Sequence, residues 1–122
     1  MKFKQFLEEE TEAIYTPPAD VSNAAKKALK YKEDYPDDVD DSGTRVGWTR
    51  ANQLANRDKI SLDIIKRMHS FFSRHKGNEK IDSKYKDTPW KDNGYLMHLA
   101  WGGDAGKKWA KEILDKVEKN DG

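Results

Sequence analysis

Ser61-Leu62-Asp63-Ile64-Ile65-Lys66-Arg67-Met68-His69-Ser70-Phe71-Phe72-Ser73-Arg74-His75 decides the fold class. Ile64, Ile65, Met68, Phe71, Phe72 and His75 recur at the three-to-four residue spacing of one helix face, while Lys66, Arg67, Ser70 and Arg74 fall toward the other side. Ser61 is placed to cap this helix, and Ile60 with Ile65 is spaced as a hydrophobic staple across the cap. The stretch predicts a strongly amphipathic helix over 61–75.

Upstream, Thr44 to Asn56 repeats the pattern with Val46, Trp48, Ala51, Leu54 and Ala55 inward, and it stops at Asn56-Arg57-Asp58. The two helices and their short turn have the outline of a helix-turn-helix spanning Trp48 to His75. Any two consecutive amphipathic helices of a small bundle share that outline, so it does not by itself mean DNA. Further upstream, Val21, Ala24, Ala25, Ala28 and Leu29 predict a helix capped by Asp20, and Glu33 to Gly43 is rich in turn formers and reads as a loop. Downstream, Gly77 to Asn93 reads as a long polar loop anchored by Ile81, Tyr85 and Trp90. Two apolar pieces follow, Tyr95 to Trp101 and the Trp109, Ala110, Ile113, Leu114, Val117 series, with Gly102-Gly103 between them and Asp104 as the expected cap of the last helix. Strand-like alternation is nowhere sustained. The expectation is all-α: a small single-domain bundle of about four to five helices, with a helix-turn-helix-like pair and long polar loops.

With 122 residues, 35% hydrophobic and 37% charged, the chain supports one thin core. Four Trp, five Tyr and four Phe supply large apolar areas where Leu, Ile and Val are scarce, so aromatic anchors are expected in that core. The absence of Cys excludes disulfides, a thiol nucleophile and Cys-based zinc sites. No apolar run reaches the roughly 18–20 residues that cross a bilayer, and no membrane partner is expected. The net charge of +1 conceals an asymmetry: residues 1–20 carry two Lys against five acids, residues 21–76 carry twelve basic against eight acidic side chains, and the remainder balances. Only the middle stretch is a candidate surface for a polyanion.

No residues arrange themselves into a catalytic constellation. Asp38 to Gly43 fits the first half of a calcium loop, but Arg45 and Thr49 stand at the positions where a hydrophobic residue and a bidentate Glu are needed. His69, His75 and His98 lack metal-ligand spacing, no nucleophile elbow appears, and no Lys-Ser/Thr phosphate-loop pattern follows the glycines at 102, 103 and 106. A tight packing turn between Trp101 and Trp109 explains those glycines at least as well. No cofactor or metal is expected, and an enzyme assembled from Arg74, His75, His98 and Asp104 is the least favoured reading.

Two resemblances add to this. Met1-Lys2-Phe3-Lys4-Gln5-Phe6-Leu7-Glu8-Glu9 resembles the capsid-targeting leader of internal head proteins in T-even-like phages, with Leu7-Glu8-Glu9 as the cleavage signature. Thr16-Pro17-Pro18, Ala24-Ala25-Lys26, Arg50-Ala51-x-x-Leu54-Ala55-Asn56, Arg67 to His75 and Ala100-Trp101-Gly102-Gly103-Asp104-Ala105-Gly106 resemble a small uncharacterised domain of tailed-phage proteins, found alone or appended to head-assembly proteins. The charged, aromatic run of residues 1–15 stops at the Thr16-Pro17-Pro18 breaker and reads as a leader ahead of a helical domain over 16–122, and the resemblances imply a location in the virion head and host cytoplasm. Together with the charge asymmetry they lead to the expectation of a monomeric, virion-associated protein that binds DNA through phosphates, using Lys26, Lys27, Lys30, Arg50, Lys66, Arg67 and Arg74. The alternative is a prohead module that docks phage head proteins through exposed Trp and Tyr of the 85–101 region.

Overall fold

The structure, a computed structural model, describes residues 12–39 and 42–121. In chain order the elements are β1 (Ala13–Tyr15), α1 (Ala19–Asp34), α2 (Pro36–Val39), α3 (Arg45–Ala55), β2 (Ile60–Ser61), α4 (Leu62–Arg74), α5 (Asn93–Ala100) and α6 (Gly103–Asp121), with 3-10 turns at Ser83–Tyr85 and Pro89–Lys91. The fold is an all-α single-domain bundle with one minor two-stranded sheet. The leader-like residues up to 11, and Asp40 and Asp41 of the calcium-like loop, lie outside the described residues.

Helix α4 begins as its sequence dictates. Ser61 is extended and its hydroxyl accepts the Ile64 amide at 3.3 Å, which satisfies one of the donors a helix leaves open at its start. Leu62, Ile65, Met68, Phe71 and Phe72 are buried, each worth about 1.5–3 kcal/mol of transfer from water. His75, expected on this apolar stripe, is instead exposed at the helix end, because it lies beyond the last helical turn and is carried only by Phe71.

Helix α1 is the centre of the bundle and packs on α3, α5 and α6. Its buried residues are small: Val21, Ser22, Ala25 and Ala28 permit close approach, and the Ser22 hydroxyl donates to the Ala55 carbonyl at 2.9 Å. The helix starts at Ala19 with Pro18 as its cap residue, and Asp20 lies in the first turn, where its carboxylate accepts the Val21 amide. It also runs on to Asp34 and is followed by α2, so helix occupies much of what the turn formers suggested was loop; Val39 is fully buried and holds α2 down. Asp104 likewise sits inside the first turn of α6, one residue after its start.

Residues 77–93 are ordered by their anchors. Trp90 stacks on Tyr35 with ring centroids 3.6 Å apart and donates its indole N–H to Asp38 at 2.9 Å. At Gly102 and Gly103 the backbone adopts positive φ (110° and 66°), and a Cβ at Gly106 would lie 2.7 Å from the Trp101 carbonyl oxygen. These glycines therefore serve a packing turn between α5 and α6.

The sheet ties the end of the expected leader to the domain. Ala13 and Tyr15 pair antiparallel with Ser61 and Ile60. Tyr15 packs against the core and Pro17 is fully buried, while the Pro17 carbonyl accepts the Arg57 Nε–H at 2.7 Å. No helix among the described residues is long and apolar enough to cross a membrane.

Candidate functional site

Arg67, Ser70, Phe71 and Arg74 stand at i, i+3, i+4 and i+7 on α4, so they form one stripe along the helix. That stripe is one wall of a cleft of about 500 Å³. The facing wall comes from Thr44 and Val46 at the start of α3 and from Asn93, Gly94 and Met97 of α5, with His75 and Asn78 closing one end. Trp101 is the floor, stacked on Phe71 with centroids 4.7 Å apart and planes 7° from parallel. Asn93 braces the two helix starts by accepting the Gly43 amide at 2.6 Å.

Charge distinguishes this cleft. The chain has 22 carboxylates, yet none of the described residues that line the cleft is acidic. Arg67 is paired with Asp63 at 3.0 Å, but both side chains are more than half exposed, so the pair holds the guanidinium weakly. Arg74 bonds only the Ser70 carbonyl of its own helix, at 3.4 Å, and meets no carboxylate among the described residues.

Behind the floor lies Arg50, 6% exposed, with its guanidinium carbon 5.1 Å from the centre of the Trp101 ring. Its one hydrogen-bond partner is Gln53, its Nε–H has none, and no carboxylate among the described residues pairs with it. Burial, and next the positive charge of Arg67, push its pKa below the ordinary guanidinium value, while Asp63 acts the other way. A buried, unneutralised cation is costly to fold.

The residues expected to bind nucleic acid therefore divide. Arg67 and Arg74 converge on the cleft. Arg50 is a correction: it is not a surface contact, because α3 turns it inward against Trp101. Lys26, Lys27 and Lys30 are exposed on α1, away from the cleft; Lys27 reaches Tyr95, whose neighbours Gly94 and Met97 face the cleft from another side of α5, and Lys30 pairs with Asp34. Lys66 is exposed on α4 but does not line the cleft. Of the residues considered for an enzyme, Arg74 and His75 line the cleft, whereas His98 is buried under Phe72 and bonded to Asp104 at 2.9 Å, outside it. The four are not assembled. Val46, expected inward on α3, is instead exposed at the cleft, and Thr44, Asn78, Asn93 and Met97 were not foreseen; the regular spacing of Arg67, Ser70, Phe71 and Arg74 was the one signal that could have pointed to the site.

Comparison with protein-family models, curated proteins and solved structures finds no match. The cleft can hold an anionic group beside two arginines, over an apolar floor, with side-chain amides and hydroxyls in its lining.

Proposed function

We propose that the protein is a nucleic-acid-binding module that acts in a phage head, without sequence preference, and that α4 is its binding face. The observation that carries this reading is the acid-free cleft in which Arg67 and Arg74 stand together in front of the unneutralised Arg50. In a chain of near-balanced charge, such a local excess of cations is what a phosphate backbone selects, since each guanidinium that meets a phosphate releases condensed counterions. The lysines of α1 lie on another face and contribute only to the diffuse field.

Docking of phage head proteins through exposed aromatic residues of the 85–101 region draws no comparable support. Trp90 is engaged with Tyr35 and Asp38, and Trp101 is 7% exposed.

The test is binding of labelled duplex DNA at low ionic strength by fluorescence anisotropy. The protein is expected to bind weakly, with Kd in the range of roughly 1–100 µM once salt is physiological. The double variant Arg67→Glu, Arg74→Glu should lose about tenfold or more in affinity at low salt, with its circular dichroism unchanged. Equal affinities for the two proteins would remove α4 from the interface.

A further inference from the structure

We infer that the cleft is a seat for one unpaired nucleotide, so that the preferred ligand is single-stranded nucleic acid; this rests on the nucleic-acid reading above. Arginines alone account for phosphate contacts, but they do not account for the rest of the cleft. A duplex presents its phosphates on convex ridges and keeps its base faces stacked inside, so it cannot fill a concave site about 500 Å³ in volume. Volumes of that order suit a ligand the size of a single nucleotide, in the range of roughly 300–1,000 Å³ for small-molecule sites.

The lining is matched to a base as well as to a phosphate. Val46 is 52% exposed and lines the cleft together with Phe71, in a chain with little apolar side chain to spare. The His75 ring ends the Trp101–Phe71–His75 series, 4.7 Å from Phe71, and being exposed it offers a free face for stacking. The Asn78 side-chain carboxamide has no hydrogen-bond partner among the described residues, and it supplies both a donor and an acceptor for a base edge. A base lying between Val46 and the aromatic series would leave its flanking phosphates toward Arg67 and Arg74 at the rim. Stacking of this kind tolerates every base, which agrees with binding that lacks sequence preference.

The experiment compares a short labelled oligothymidylate with a duplex of equal length at one low salt concentration, by anisotropy. The oligothymidylate should bind about tenfold more tightly, the scale that one stacked base supplies. Ser70→Trp, which fills the cleft from α4 without changing charge, should bring the single-strand affinity down to the duplex level. Val46→Trp should do the same from the opposite wall, and it decides the matter if the first variant fails to fold. Arg67→Glu with Arg74→Glu should weaken both ligands. Equal binding of the two ligands by the wild type, or a single-strand preference that survives the folded tryptophan variants, would overturn the inference while leaving the nucleic-acid reading in place. Binding of neither ligand would defeat that reading itself.

Discussion

Arg50 shows how a single residue can be costly for folding and useful for the site. Its Nε–H has no partner and its charge has no counterion among the described residues, so an apolar replacement of similar length removes a penalty. Arg50→Met is expected to raise stability by about 1 kcal/mol, seen as a higher midpoint in thermal denaturation, even though Gln53 loses its partner. The pH dependence has a definite sign. Because folding lowers the Arg50 pKa, the folded state holds its proton less tightly than the unfolded chain, so the penalty is complete at neutral pH and eases only as the pH rises through the lowered value. A lower midpoint for Arg50→Met would show that the guanidinium is a structural brace. Gly106→Ala makes the opposite case, since its Cβ would press on the backbone oxygen of Trp101 at 2.7 Å; a loss of about 1–3 kcal/mol is expected from the overpacking. Gly77→Ala meets open space and pays only for its positive φ, about 1 kcal/mol, so denaturant unfolding should rank the two variants in that order.

At the scale of elements, what could be read in advance depended on local determinants. The start of α4 was legible because Ser61 and the apolar spacing after it are adjacent in sequence. The start of α3 follows the same logic, with the Thr44 hydroxyl accepting the Gly47 amide. Helix α2 was not legible, since a four-residue helix depends on distant contacts, here the burial of Val39 and the Trp90 indole that stacks on Tyr35 and donates to Asp38. Nor was β1, whose three residues carry no alternation and are fixed by a partner far away in the chain. The cleft was legible on one wall alone: α4 could be drawn from its own period, whereas Val46, Asn93 and Met97 reach it by the packing of α3 and α5 around α1. Strand β1 also alters what a truncation does. Deleting residues 1–15, which their acidic composition and the Pro17-Pro18 break mark in the sequence as dispensable for folding, removes the β1–β2 pairing and the Tyr15 contact with the core. It is expected to cost about 1–3 kcal/mol, read as a lower midpoint in thermal or denaturant unfolding. An unchanged midpoint would mean that the sheet contributes nothing to the domain.

Across the whole molecule, cations and acids are nearly equal in number but not mixed evenly. Among the described residues exposed i,i+4 pairs hold Lys30 to Asp34, Arg67 to Asp63 and Lys111 to Asp115, whereas Arg74 at the cleft and Arg50 against Trp101 meet no carboxylate. The lining of the cleft, which has Arg67 and Arg74 and no acid among the described residues, and not the net charge of +1, is the basis for a polyanion partner. The most direct measurement is the dependence of duplex DNA affinity on salt, taken for the wild type and for the Arg67→Glu, Arg74→Glu variant over several salt concentrations. Each phosphate contact contributes about 0.9 to the slope of log affinity against log salt, so losing two contacts should flatten the slope by about 1.8. A wild type with no salt-dependent affinity, or two proteins with the same slope, would contradict the assignment of α4 as a nucleic-acid-binding face.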